Sequence, residues 1–242
     1  MPIRQVQFYP GGFYHIFNRG NGKQDIFRND KDRYRFLQAA YLSNNSNGSM
    51  NLSQLEKSSK GYTLLEIKNL LRDEKITHEP LVRIIADCLM PNHFHFFAEE
   101  IQENGVVTFM QRLGTSYGRY FATKYKRPGS LFQGRFKAVH IKDNDQLMYL
   151  LAYINVLNPA QLVEPDLKEK GIENMEKVWE WVDNYSWGTH QEYMNKRDSI
   201  IIDKGLLGEL LPSVELYRAF VEDVLNSKKR NIWEALDGFT ID

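Results

Sequence analysis

The chain has 242 residues and a mass of 28.4 kDa, which is enough for one domain with an elaboration or for two small domains. Lysine plus arginine equals aspartate plus glutamate, 31 against 31, so the net charge selects no partner. No apolar run approaches the roughly 20 residues that span a bilayer, the N-terminus lacks the apolar core of a signal peptide, and the single cysteine, Cys88, cannot form an internal disulfide. We therefore expect a cytoplasmic protein that does not contact a membrane.

The first third of the chain predicts a strand, a helix and an insertion. The stretch "FYHIFNRG" (13–20) is typical of a strand, and "DKDRYRFLQAAYL" (30–42) is typical of a helix that capping-type residues open. Few large apolar residues occur in 43–54, which predicts a solvent loop. A second helical pattern, "YTLLEIKNLLRDEK", follows at 62–75. We interpret about 43–75 as an insert in the fold.

The middle of the chain predicts a β-hairpin. The stretches "LVRIIADCLM" (81–90) and "HFHFFAEE" (93–100) have strand character, and Pro91 and Asn92 between them are typical of a tight turn. The two strands should therefore pair in antiparallel fashion.

A helix, a strand and a helix follow the hairpin. The stretch 106–127 predicts a long helix that "PG" stops, "GRFKAVHIK" (134–142) predicts a strand, and "NDQLMYLLAYINVL" (144–157) predicts a helix with Asp or Asn as its cap and Pro159 at its end. Without the insert the order is β-α-β-β-α-β-α. This order predicts an α+β fold with a ferredoxin-like antiparallel sheet and helices on one face.

The remainder of the chain predicts an appended helical segment. From about 160 onward the sequence is helical in pattern and acidic, with seven acids and three lysines in 163–185 and with Trp179, Trp181 and Trp187 close together. We predict a domain at 1–160 and a helical C-terminal extension at 161–242.

Two histidines in the second hairpin strand suggest a metal site. Side chains alternate along a strand, so His93 and His95 point to one face and Phe94 to the other. Two neutral imidazoles can hold a divalent ion. The alternative is that the pair is no ligand site, since one such pair can occur by chance in a chain with six histidines. His15 in "FYHIF" is interpreted as structural or DNA-adjacent.

A basic stretch indicates a nucleic-acid partner. No acidic residue occurs in the 39 residues from Asn104 to Lys142, which carry eight basic residues and seven aromatic ones. Basic groups neutralise phosphates, and aromatic rings stack on unpaired bases. The alternative is a solvated basic helix whose aromatic residues face the core. The predicted nucleic-acid contacts are Arg112, Arg119, Lys124, Lys126, Arg127 and Arg135.

The helix after the last strand offers two tyrosines on one face, Tyr149 and Tyr153, four residues apart. A tyrosine hydroxyl has an ordinary pKa near 10 and is a poor nucleophile at neutral pH. A metal held by the histidines would activate a phosphate for its attack, and the product would be a covalent phosphotyrosine.

Five blocks of the sequence resemble, in order, the REP-associated tyrosine transposases, a group of single-tyrosine transposases of the IS200-like type with a His-hydrophobic-His (HUH) motif. They are "FYHIFNRG", "MPNHFHFF", "GSLFQGRFKAVHI", "YLLAYINVLNPAQL" and "DNYSWGTHQEYM", and they run from about Phe13 to Met194.

The resemblance implies a metal-dependent endonuclease and strand-transferase that acts on single-stranded DNA near hairpins. It implies His93 and His95 as ligands of Mg²⁺ or Mn²⁺, and Tyr153 as the nucleophile that forms a 5′-phosphotyrosine. Tyr149 is expected to pack in the core. The protein is expected to act as a monomer or a homodimer.

One position departs from the family pattern, which has a polar residue four positions after the tyrosine. Leu157 stands there, and Asn158 is one residue further on. We expect either that a bulge or the distortion before Pro159 brings Asn158 to the metal, or that another group completes the site, or that cleavage has been lost. The alternative functions are therefore a non-catalytic single-stranded nucleic-acid-binding protein and a phosphoesterase that uses water.

Overall fold

The computed structural model describes residues 6–48, 63–73 and 77–226. Four strands form one sheet in the order β2-β3-β1-β4, and every neighbouring pair is antiparallel. The strands are β1 (Phe13–Arg19), β2 (Val82–Met90), β3 (His93–Glu100) and β4 (Lys137–Ile141). The sheet order and the helices between the strands confirm the predicted α+β, ferredoxin-like fold.

Each face of the sheet carries its own hydrophobic core because side chains alternate along the strands. On one face Phe94 and Phe96 pack with α1 (Asp30–Ser43) and α3 (Gly105–Tyr125). The aromatic residues Phe109, Tyr117 and Phe121 of α3 are at most 1% exposed and belong to this core. Three of the seven aromatic residues of the basic stretch are therefore core residues, and the other four are partly buried against the same core.

The opposite face is covered by α4 (Asn144–Ala152) together with the C-terminal helices. Leu150 and Ile154 share one core with Val178, Val182 and Tyr217 from the predicted extension. Helices thus cover both faces of the sheet, and the domain boundary at 160 stays a prediction. The C-terminal helices are α6 (Leu167–Lys170), α7 (Met175–Asn184), α8 (His190–Tyr193), α9 (Gly205–Leu210) and α10 (Val214–Asn226).

The segment between α7 and α8 runs along the outer edge of β2. The Leu89 N–H donates to Trp187 O at 2.8 Å, and the Thr189 N–H donates to Asp87 O at 3.0 Å. An uncovered edge strand invites pairing with other chains. This segment protects the β2 edge and fixes the start of α8 beside it.

The insert differs from the prediction where the structure describes it. Instead of a solvent loop, Ser43, Asn44 and Asn45 are buried. The side chain of Asn44 donates to Val82 O at 2.8 Å and accepts hydrogen bonds from the Leu81 and Val82 N–H groups at 2.9 Å. It therefore provides hydrogen-bond partners for the backbone at the start of β2. Residues 49–54 lie outside the described part. The predicted helix at 62–75 is α2 (Leu64–Asp73), and its predicted ends also lie outside that part.

Two further elements differ from their predicted bounds. The predicted strand at 134–142 begins only at Lys137, because Gly134 turns the chain at a φ of +125°. Asp143 caps α4 as predicted and accepts the Gln146 N–H at 2.8 Å. A π turn at Tyr153–Leu157 follows, and the one-turn helix α5 (Asn158–Ala160) contains Pro159 instead of ending before it. Proline is tolerated there because a first helical turn needs no proline N–H.

Within the described part of the chain, none of the helices combines the length and the apolar character that a bilayer crossing requires.

Candidate active site

Three histidines lie together on the sheet face that α4 covers. His93 and His95 share a face of β3, and His15 approaches from the neighbouring strand β1. Nε2 of His15 lies 2.7 Å from Nδ1 of His95, and the two rings stack with centroids 4.9 Å apart. The His93 ring stands perpendicular to that of His95 at 5.0 Å. We call these three residues the histidine cluster.

The hydrogen bonds of the cluster leave two ring nitrogens available for a ligand. Nδ1 of His93 lies 2.6 Å from Oδ1 of Asn92, an acceptor, which assigns the proton to Nδ1 and a lone pair to Nε2. That Nε2 lies 3.4 Å from Oδ1 of Asn158, and Gln161 donates to the same oxygen at 3.3 Å. Nε2 of His95 is buried and has no hydrogen-bond partner among the described residues. The histidine cluster therefore presents the lone pairs of two ring nitrogens, Nε2 of His93 and Nε2 of His95, and the amide oxygen of Asn158 lies beside them.

Burial keeps the cluster neutral. Desolvation lowers the pKa of His93 to about 4, an effect that Asn158 opposes and that Lys168 and Arg19 reinforce. Desolvation also lowers the pKa of His15 to about 3 and that of His95 well below its ordinary value. Neutral imidazoles are the form that binds metal ions.

The π turn brings Asn158 to the cluster. The Asn158 N–H donates to Tyr153 O, a bond between residues five apart. In a regular α-helix the corresponding bond joins residues four apart. The extra residue therefore places Asn158 on the side of the helix where, in a regular α-helix, the residue four positions after Tyr153 would lie. Leu157, which stands at that position in the sequence, is buried in the core.

The expected distortion before Pro159 is wrong, because Asn158 keeps helical angles of φ −68° and ψ −53°. The π turn achieves the same result without it. The bulge that the sequence left as one of several alternatives is present.

Tyr153 packs directly on the cluster. Its ring centroid lies 5.4 Å from that of His95 and 6.0 Å from that of His15, and both pairs are nearly perpendicular. Tyr153 is 1% exposed. Tyr149, one turn earlier, is half-buried against the same core. The predicted residues His93, His95, Tyr153 and Asn158 thus form one constellation.

Among the described residues, no three His, Cys, Asp or Glu side chains are grouped as a metal site. The amide oxygen of Asn158 faces Nε2 of His93 and is a further group that could bind an ion beside the histidine pair. Amide oxygens suit hard divalent cations such as Mg²⁺ and Mn²⁺.

The predicted DNA contacts on α3 lie behind the sheet, because α3 packs on the face opposite the histidine cluster. Arg112 donates to Asn45 O at 2.6 Å, and Arg127 donates to Ser130 O at 3.2 Å. Lys124 pairs at 2.6 Å with Asp32, which is fully buried. These three therefore have contacts within the protein. The side chains of the other three predicted contacts are exposed: Arg119, Lys126 and Arg135.

Two cations near the cluster were missed by the sequence reasoning. Arg19 lies directly opposite His93 in the β1–β3 register, and its guanidinium is held by Oε1 of Gln133 at 2.9 Å. Lys168 on α6 lowers the pKa of both His93 and His95, so its charge acts at the site. The sequence pattern of β1 does not show how β1 aligns with β3, so it could not place Arg19 opposite His93. No feature of the sequence around Lys168 indicated that this residue lies near the histidines.

A cleft of about 700 Å³ lies on the α1 and α3 side of the sheet. Phe8, Phe94, Phe132 and Phe136 line it, together with Arg135, and the described residues around it include no acid. Phe94 separates His93 from His95 in β3, so the cleft and the histidine cluster lie on two sides of the same strand end.

Comparison with known proteins gives one family match. Residues 57–156 match the family described as Transposase IS200 like. This segment contains His93, His95 and Tyr153 and ends two residues before Asn158. No curated protein matches the chain in sequence.

Two solved structures are similar over most of the chain. One is described as the structure of a REP-associated tyrosine transposase bound to a REP hairpin, with 13% identity, a TM-score of 0.43 and coverage of 84% of this chain and 98% of that one. The other is tRNA(His) guanylyltransferase from Saccharomyces cerevisiae, with 11% identity, a TM-score of 0.34 and coverage of 77% and 76%. Residues 57–156 are thus similar to the IS200-like transposases.

Proposed function

We propose that the protein is a metal-dependent endonuclease and strand-transferase that cuts and rejoins single-stranded DNA through a 5′-phosphotyrosine on Tyr153. The match of residues 57–156 to the IS200-like transposases supports a DNA-cleaving enzyme. The observation that carries the specific chemistry is the π turn, since one turn of helix supplies both Tyr153 and Asn158 to the histidine cluster.

The residues present fit a divalent ion. Nε2 of His93 and Oδ1 of Asn158 are both acceptors and face each other at 3.4 Å, and no described residue gives Nε2 of His95 a hydrogen bond. Such an arrangement is costly unless a cation or a proton satisfies it. His93, His95 and Asn158 would hold Mg²⁺ or Mn²⁺, which would polarise the scissile phosphate and stabilise charge on the leaving oxygen.

The chain's own residues would carry out the remaining steps. The Tyr153 hydroxyl oxygen attacks phosphorus and loses its proton, the bond from phosphorus to the 3′ oxygen breaks, and that oxygen takes up a proton as a 3′-hydroxyl. Attack of a 3′-hydroxyl on the phosphotyrosine reverses the step and rejoins DNA. Because Tyr153 is buried, a movement of the protein must uncover its hydroxyl when DNA binds.

Positive charge and aromatic rings support single-stranded DNA as the substrate. Arg19 lies opposite His93 in the sheet, and the charge of Lys168 lowers the pKa of both histidines, so the two cations supply positive charge that would attract a scissile phosphate. Exposed Arg119, Lys126 and Arg135 offer further phosphate contacts, and the cleft beside Phe94 offers rings for an unpaired base. Substrates that form hairpins follow from the resemblance of the five sequence blocks.

A second candidate is a non-catalytic protein that binds single-stranded nucleic acid, and the burial of Tyr153 favours it. A covalent adduct distinguishes the two functions.

The test is a denaturing gel of protein incubated with Mn²⁺ and end-labelled single-stranded hairpins from the DNA that flanks its gene. We expect an adduct that requires the ion, disappears in Tyr153→Phe and persists in Tyr149→Phe, a matched change one helical turn away. An adduct in Tyr153→Phe would refute the assigned nucleophile, and binding without any adduct would favour the non-catalytic candidate.

A further inference from the structure

A buried polar chain connects the block "DNYSWGTHQEYM" to the π turn. Oδ1 of Asp183 lies 2.8 Å from Nε2 of His190. Nδ1 of His190 lies 2.9 Å from the Tyr217 hydroxyl. That hydroxyl accepts a hydrogen bond from Nδ2 of Asn155 at 3.2 Å. We call these four residues the polar chain.

Each member of the polar chain fixes the hydrogen-bonding role of the next. The Asp183 carboxylate only accepts, so His190 carries its proton on Nε2 and presents a lone pair on Nδ1. The Tyr217 hydroxyl must then donate to His190 and accept from Asn155. The amide of Asn155 is thereby oriented with its nitrogen toward Tyr217.

Burial makes this orientation rigid. Asn155 and Tyr217 are fully buried and His190 is 1% exposed, so water cannot replace the bonds. At the outer end, Asp183 is partly exposed and has Arg218 at 3.6 Å and Lys196 at 3.7 Å, which stabilise its charge. Within the described part of the chain, Oδ1 of Asn155 has no hydrogen-bond partner, so the bond to Tyr217 is what holds this side chain there.

We propose that Tyr217 is a positioning residue, which, with His190 and Asp183 behind it, holds Asn155 and so fixes the π turn that presents Tyr153 and Asn158. Asn155 lies inside that turn, two residues after Tyr153 and three before Asn158. A π turn is rare in proteins and concentrates at functional sites, and a shift of about 1 Å at a reacting group costs about 100-fold in rate. The inference rests on the proposed function for its catalytic consequence.

The test compares Tyr217→Phe with Tyr193→Phe. Tyr193 is a matched control because it is 2% exposed, its ring stacks on Tyr217 at 5.0 Å, and its hydroxyl reaches Ile85 O at 3.4 Å instead of the π turn. In Tyr217→Phe we expect the rate of adduct formation at saturating DNA to fall about 10- to 100-fold, with DNA affinity unchanged within about twofold. The control should keep the wild-type rate, and equal losses in both variants would overturn the inference.

Hydrogen exchange of the backbone amides at 153–158 provides a measurement that needs no cleavage. Exchange there should be faster in Tyr217→Phe than in both the wild type and Tyr193→Phe. Unchanged exchange would overturn the inference. A wild type that forms no adduct would refute the proposed function, and the exchange experiment would still test the positioning.

A double-mutant cycle gives an independent check. If Tyr217 acts through Asn155, then Tyr217→Phe combined with Asn155→Ala should slow adduct formation no more than Asn155→Ala alone. Multiplicative losses would show that Tyr217 acts elsewhere. Should Tyr217→Phe fail to fold, Asp183→Asn at the outer end of the chain should give a smaller loss of rate in the same direction, and an unchanged rate would count against the inference.

Discussion

His15 should control metal affinity although the ion would not touch it, and His15→Phe tests this. For Nε2 of His95 to bind an ion, the ring proton must be on Nδ1, where Nε2 of His15 accepts it at 2.7 Å. Ligand histidines generally donate their second ring N–H to such an acceptor. Phenylalanine keeps an aromatic ring in the core but removes the acceptor.

The size of the effect follows from burial. His15 and His95 are both fully buried, so water cannot replace the lost acceptor. A buried donor left without a partner costs about 1 to 3 kcal/mol. Because about 1.4 kcal/mol corresponds to a tenfold change in an equilibrium constant, Mn²⁺ affinity should fall about 5- to 150-fold.

Calorimetric titration of the protein with Mn²⁺ measures this affinity directly. His140→Phe is the matched control, since His140 lies on β4 and contacts the Tyr9 hydroxyl at 2.7 Å instead of the cluster. The control should bind Mn²⁺ as the wild type does. A folded His15→Phe variant with wild-type affinity would refute the assigned role of His15.

Three other predictions concern stability and charge. Asn44→Ala should lower the free energy of unfolding by about 2 to 4 kcal/mol, since two backbone N–H groups and one carbonyl at the start of β2 lose their partner; an unchanged urea midpoint would contradict this. Burial raises the pKa of Asp87 to about 6, so the folded state keeps a proton that the unfolded state releases near pH 4. Between pH 4 and 6 the wild type should therefore lose about 2 to 3 kcal/mol relative to Asp87→Asn, and parallel stability curves would contradict that assignment. Lys124→Met should destabilise the protein by about 2 kcal/mol, because it leaves the buried Asp32 carboxylate without its cation. Of the two variants Lys124→Met and Arg119→Ala, only the second should weaken the salt dependence of DNA binding. A weaker salt dependence in Lys124→Met would show that Lys124 contacts the DNA.

The sequence by itself determined the order of the elements and the face on which His93 and His95 lie. Both depend on local periodicity, which alternation in a strand and apolar spacing in a helix encode within a few residues. The ordered blocks also indicated the family that the match of residues 57–156 bears out. The predicted bounds of the elements were wrong where a single glycine or proline sets the backbone conformation, as at Gly134 and Pro159.

Tertiary structure decided which groups surround the histidines. The pairing of β1 with β3 sets His15 and Arg19 beside them, and such a register joins residues about 80 positions apart. The basic helix α3 has the charge of a DNA-binding element, yet its apolar face places it behind the sheet. The π turn that sets the position of Asn158 packs in one core with the C-terminal helices, and no local pattern of the sequence contains those contacts.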